Sequence, residues 1–231
     1  MTQFVSLPAR RRHLAICASA IVLQLAAVDL CLAQSATGSA AALQPCGDVF
    51  AAPAGPWDYN DPQYQSNIRL METAHFTPRV QALERGESSV EILDDLSFVL
   101  RYVPNHYPVL NTIARYEVEK GGIPPFSERW LTADCWFQRA LQFRPDDGRV
   151  WLIYANLRAR KNQYDAALEA YEKARVLLRD NPEVHYNMGL LYLKMADYEK
   201  ARSHAELAYA GNYPLQGLRR KLAEKGYSLK N

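Results

Sequence analysis

Beyond the first 33 residues, few side chains have the chemistry to attack a substrate or hold a metal: His75, His106, His185, His204, Cys46 and Cys135. No two histidines, and no histidine with a cysteine, stand at metal-ligand spacing, so no metal site is expected. Glycine-rich phosphate loops, nucleophile elbows and zinc-protease motifs do not occur. The paired acids Asp94-Asp95 and Asp146-Asp147 fall near helix ends or on polar faces and read as caps and surface charge. This chemistry predicts a chain that is not an enzyme and needs no cofactor. The two cysteines are the exception. They are an even pair, and in an oxidising compartment they are expected to form a disulfide, Cys46–Cys135, stapling an irregular N-terminal segment over a helix.

The elements that would position these groups are set by residues 148 to 215, one pattern written twice at a period of 34. Trp151, Tyr154, Ala155, Tyr164, Ala167, Tyr171 and Ala174 are followed by His185, Met188, Gly189, Tyr198, Ala201, Ala205 and Ala208. The small residues lie where two helices of a hairpin must approach closely, and the large ones fill the space between turns. His185 holds the position of Trp151 and is assigned to packing. One such hairpin cannot bury its apolar face alone, so neighbours must stack.

The pattern resembles the tetratricopeptide repeat, with small residues at repeat positions 8, 20 and 27. That resemblance implies an all-α fold, a right-handed superhelical array of antiparallel helix pairs with a C-terminal capping helix and an irregular N-terminal segment. The array is expected over residues 77–228. It divides into a half repeat at 88–106, an interrupted repeat at 107–147, repeats at 148–181 and 182–215, and a capping helix at 214–228. The interruption falls around Gly121, Gly122, Ile123, Pro124, Pro125 and Phe126, a strong helix breaker. Upstream, Thr77-Pro78 opens a helix that Gly86 can close, and Ser88 with Glu91 spells a capping box. Residues 34–76 read as an irregular segment packed on the array, with Trp57 and Tyr59 pinning it to the helices and a short helix expected from Ile68 to Phe76.

In this repeat family, positions 2, 5, 6, 9 and 13 of each first helix face the concave groove. The resemblance therefore places Asn111, Arg115, Arg149, Leu152, Asn156, Arg160, Tyr186, Asn187, Leu190 and Lys194 there. Such a surface suits an extended peptide, with Asn pairing to its backbone and Arg to its acidic groups. The expected function is a protein-binding scaffold or adaptor with a protein or peptide partner. An accessory subunit of an envelope enzyme or polysaccharide exporter is the alternative. The family's clamp for a C-terminal carboxylate is only half present: Asn156 and Asn187 match it, and Lys221 could replace its Arg. Leu152 and Gly217 stand where its lysines belong.

Residues 1–33 have the three parts of a secretory signal. Arg10, Arg11, Arg12 and His13 form a basic start, Leu14 to Ala27 an apolar run, and Cys31-Leu32-Ala33 a small-residue cleavage site. Export to a bacterial periplasm is expected, with no stable membrane span after signal removal. That segment carries three arginines and one aspartate of the 27 basic and 25 acidic residues, so the remainder is neutral. A neutral chain offers no global field for nucleic acid, and none is expected as a partner.

Overall fold

A computed structural model describes residues 46–123 and 129–229 of the 231-residue chain. The signal-like segment, the first part of the irregular stretch, and Pro124, Pro125 and Phe126 lie outside the described residues. Among the described residues there are ten α-helices, two short 3-10 turns (Val49–Ala51 and Pro62–Tyr64) and no strand. They run α1 (Gln65–His75), α2 (Pro78–Gln81), α3 (Ile92–Tyr102), α4 (Tyr107–Glu119), α5 (Ala133–Phe143), α6 (Gly148–Arg160), α7 (Tyr164–Leu177), α8 (Pro182–Lys194), α9 (Tyr198–Ala210) and α10 (Gly217–Glu224). None is long and apolar enough to cross a membrane.

The 34-residue period is carried into backbone detail. Asp147 caps α6 by accepting from the N–H of Arg149 and Val150, and Asn181, 34 residues on, caps α8 by accepting from Glu183 N. Each hairpin then turns through one left-handed residue, Asn162 at φ 60° and Ala196 at φ 61°. Asn tolerates that conformation through its short polar side chain, whereas Ala is strained in it.

Ala155, Ala167, Ala170 and Ala174 are buried between α6 and α7, where they pack with Tyr171, Val184, Met188 and Leu191. Gly189 holds the same place on α8. A Cβ there would lie 2.5 Å from Leu218 Cδ2 and 3.3 Å from the Ala201 carbonyl, so this contact has no room for a side chain. The capping helix buries Leu218 and Leu222 against that hairpin. It is shorter than the sequence implies: Pro214 and Leu215 precede it, and Leu215 is exposed.

The N-terminal part departs further from expectation. The short helix expected from Ile68 to Phe76 is present as α1, Gln65–His75, which starts three residues earlier. The helix opened by Pro78 ends after one turn at Gln81, because Leu83 adopts a left-handed φ of 57°. The capping box is not formed; α3 begins at Ile92 with Glu91 at its N-cap. Asp95 explains this. Read as surface charge, it is fully buried and accepts from Glu87 N at 2.6 Å and Ser88 N at 3.2 Å, with His75 Nδ1 at 2.8 Å. The carboxylate thus takes the donors of the preceding loop and holds residues 87–88 away from a helical path. Burial alone would raise its pKa, but these hydrogen bonds outweigh it and leave the carboxyl below its usual range.

The aromatic loop is pinned as its residues suggest. Trp57 stacks on Tyr64 and lies against Tyr102, and its N–H donates to the Tyr102 carbonyl at 2.7 Å. Tyr59 packs on His106 and Tyr107 while its N–H donates to Asn105 Oδ1. Asp147 is again more than a cap: it also accepts from Asn105 Nδ2 and the Tyr107 hydroxyl, joining the loop to α6. Cys46 and Cys135 are bonded, with their Cα atoms 5.0 Å apart across 89 positions of sequence, so the segment that opens the described chain is tied to α5.

Candidate partner-binding groove

Asn156 and Arg160 lie one turn apart on α6, and Asn187, Leu190 and Lys194 lie on one stripe of α8. Stacking the two hairpins brings these stripes side by side. Together with Ala159, Tyr171 and Leu191 they line a cavity of about 260 Å³. Its floor is apolar, from Ala159, Leu190 and Leu191. Its rim is polar and positive, and no carboxylate among the described residues lines it.

The polar side chains differ in how far they are already engaged. Asn156 Oδ1 accepts from the Tyr171 hydroxyl at 2.7 Å. Burial raises the Tyr171 pKa, so this hydroxyl stays a donor and fixes the amide's orientation. Lys194 Nζ donates to the Ala159 carbonyl at 3.1 Å and to Asn162 Oδ1 at 2.7 Å, and sits over the Tyr164 ring. Arg160 and Asn187 have no hydrogen bond or ion pair among the described residues. An Arg fork, an Asn amide with both donor and acceptor, and an apolar floor can together hold an extended backbone carrying an acidic side chain.

Two family models match the chain over these helices. One, described as TPR repeat, covers residues 155–195, and one, described as Tetratricopeptide repeat, covers residues 182–210. The chain carries tetratricopeptide repeats. The protein O-mannosyl-transferase TMTC3 of Mus musculus is 27% identical over 107 residues, 46% of this chain and 11% of that protein. The peroxisomal targeting signal receptor of Candida albicans is 34% identical over 73 residues, 32% of this chain and 12% of that protein. The matched part is thus about one-eighth or less of the length of either relative. Tetratricopeptide repeats and the likeness to a targeting receptor support a role in protein–protein interaction.

Five of the ten groove positions that the resemblance implies meet in this cavity: Asn156, Arg160, Asn187, Leu190 and Lys194. The others do not line it. Asn111 is exposed on α4, and Arg115 is held by Glu119 and the Gln81 carbonyl. Arg149 is bound to Glu183 of the next repeat, Nη1 to Oε2 at 2.5 Å.

Leu152 and Tyr186, both at repeat position 5, are corrections. Leu152 is 1% exposed and packs with Val184, Met188 and Leu191. Tyr186 is 7% exposed and lies 4.5 Å from the Tyr213 ring. Gly217 passes so near that a Cβ on it would stand 2.9 Å from the Tyr186 hydroxyl. In this tetratricopeptide array position 5 serves the contact with the next helix along, so neither side chain can anchor a ligand. The same two places, Leu152 and Gly217, are where the carboxylate clamp needs lysines, so that clamp is not assembled.

Tyr171 was not among the groove residues implied by the resemblance, because it lies on the second helix of its pair. Its hydroxyl spacing to Asn156 is visible only once the hairpin closes. His185 is buried against His204, Nδ1 to Nδ1 3.1 Å, and Tyr192 stacks on His204. Burial, with His185 adding to it, pushes the His204 pKa down to about 4. Among the described residues no three His, Cys, Asp or Glu side chains come together as a metal set.

Proposed function

We propose that this protein is an exported adaptor that holds an extended, acidic peptide segment of a protein partner in the groove between α6 and α8. The observation that carries the reading is the cavity where Arg160 and Asn187, neither with a hydrogen bond or ion pair among the described residues, flank an apolar floor. The pull on the ligand would be Arg160 to a carboxylate and the Asn156 and Asn187 amides to its backbone. The signal-like residues 1–33 and the cysteine pair, which suits an oxidising compartment, support a bacterial periplasm as its place, and envelope assembly or secretion is the process we assign to it there. The likeness to an O-mannosyl-transferase supports a second reading, an accessory subunit of an envelope enzyme or polysaccharide exporter.

Replacing Arg160 and Asn187 by Ala tests the groove. The double variant is expected to keep wild-type helix content and melting, because neither side chain is buried, and to lose partner capture at least about tenfold. Ala174→Leu is the matched control, overpacking a buried contact and unfolding the hairpin. Undiminished capture by the double variant would move the binding site elsewhere. N-terminal sequencing of the fractionated protein tests export: a chain beginning at Gln34 is expected, and a cytoplasmic chain beginning at Met1 would contradict it.

A further inference from the structure

A second cavity, of about 550 Å³, lies away from the groove, where residues 48–53 cross α3 and α5. Its walls include Asp48, Arg101, Arg129, Trp130, Trp136 and Arg139. Arg129 is taken up by Asp94, which also accepts from the Trp130 indole N–H. Arg139 is not taken up in this way. It is 7% exposed, yet among the described residues it makes no ion pair and one hydrogen bond, Nη1 to the Cys46 carbonyl at 3.2 Å. Its Nε is buried without a partner, and so is the indole Nε1 of Trp136, over whose ring the guanidinium sits at 5.6 Å.

Buried donors are nearly always paired, and a buried cation needs a counter-charge or several acceptors. Asp48 is the carboxylate whose field reaches Arg139, but its Oδ1 is committed to capping the turn at Phe50 N. Arg101, exposed at the end of α3, adds positive charge on the same side. The wall therefore sets a guanidinium without an ion pair among the described residues, and the further positive charge of Arg101, beside two indole rings, in a space of the size that small ligands occupy. The disulfide from Cys46 to Cys135 and the capped turn at Asp48 hold that wall in place without a ligand.

We propose that this cavity is a binding site for a small organic acid, a carboxylate on a flat apolar body. The carboxylate lies against Arg139 and Arg101 and the body against Trp130 and Trp136. Arg is suited to the head group by its planar fork, and the indole faces to the body by stacking. The site is separate from the peptide groove and stands whether or not that groove binds a partner.

Phenylacetate is the probe, titrated into the ¹⁵N-labelled full chain with the disulfide formed and followed at the four indole N–H signals. The expected result is a saturable shift of the Trp130 and Trp136 signals with Kd about 1 mM or tighter, those of Trp57 and Trp151 staying still. Uncharged phenylacetamide should shift none of them. Arg139→Gln should abolish the response. Because that variant removes a buried group and can unfold the wall, Arg101→Gln is the second test: at the exposed rim, it should keep the fold and weaken binding about fivefold. No saturable shift up to about 10 mM, equal binding of acid and amide, or wild-type affinity in Arg101→Gln would overturn the proposal. So would occupancy by an acidic peptide but not by phenylacetate, since that would make the cavity part of a protein interface.

Discussion

Removing the disulfide, by Cys46→Ser with Cys135→Ser, is the perturbation whose size the structure predicts most directly. The bond closes a loop with a sequence separation of 89. Loop-closure entropy for about 90 residues corresponds to roughly 4–5 kcal/mol of destabilisation of the unfolded chain. Some of that is offset, because the segment keeps other holds on the fold. Val49 is fully buried, Phe50 lies edge-on to Phe143 at 6.3 Å, and Trp57 is fixed to α3. The double variant should therefore lose about 3–5 kcal/mol of unfolding free energy, measured by guanidinium denaturation of oxidised wild type and variant side by side. Repeat arrays can unfold in stages. Tryptophan emission, dominated in this region by Trp130 and Trp136, should accordingly fall at lower denaturant than the helical signal in the variant and together with it in the wild type. A loss under about 1 kcal/mol, with the two signals still coincident, would refute the reasoning: residues 46–57 would then be held by their apolar contacts alone.

Two further outcomes follow from single residues. Ala196 sits at φ 61° after α8, where its 34-residue counterpart is Asn162, so Ala196→Gly should stabilise the protein by about 1 kcal/mol in thermal melts; no gain would mean the turn carries no strain. His106 is buried with its Nδ1 accepting from Val109 N and its Nε2 3.0 Å from Glu72 Oε1, an arrangement that requires the neutral Nε2–H ring, and burial pushes its pKa down to about 4. The unfolded chain then binds the proton first, so stability should fall as pH drops from about 6.5 towards about 4, and His106→Gln should lessen that dependence, leaving the share that His204 contributes over the same range. A His106 imidazole titrating near pH 6.5 by NMR would contradict this.

How much of this was legible in the chain depended on whether the information was periodic. Ala155, Ala167 and Ala174, with their counterparts Gly189, Ala201 and Ala208, repeat at 34 because helix-to-helix distance repeats. The α6–α9 hairpins and the tetratricopeptide-repeat pattern therefore followed from spacing, and the resemblance named five of the residues that line the cavity between α6 and α8. The signal fails where a residue answers to something distant in sequence. Asp95 looks like one of two surface acids until its loop donors and His75 are folded around it. Tyr186 looks like an anchor at an open position until Tyr213 and the side-chain-free Gly217 close over it. Leu152 is the same error one repeat earlier, since position 5 is decided by how closely the next helix stacks. The cavity around Arg139 was invisible for the same reason: its walls come from residues 48–53, α3, residues 129–131 and α5, which are far apart in sequence and are brought together by the Cys46–Cys135 bond and the contacts of Val49, Phe50 and Trp57.

The central claim is that a partner segment lies in the groove between α6 and α8. A photo-crosslinking residue placed at Leu190, in the cavity, and separately at the exposed Val176 on α7, tests it in the living cell. A discrete protein adduct is expected from position 190, lost when Arg160→Ala and Asn187→Ala are added to the same chain, and none from position 176. An adduct from 176 alone, or one from 190 that survives the double substitution, would contradict it.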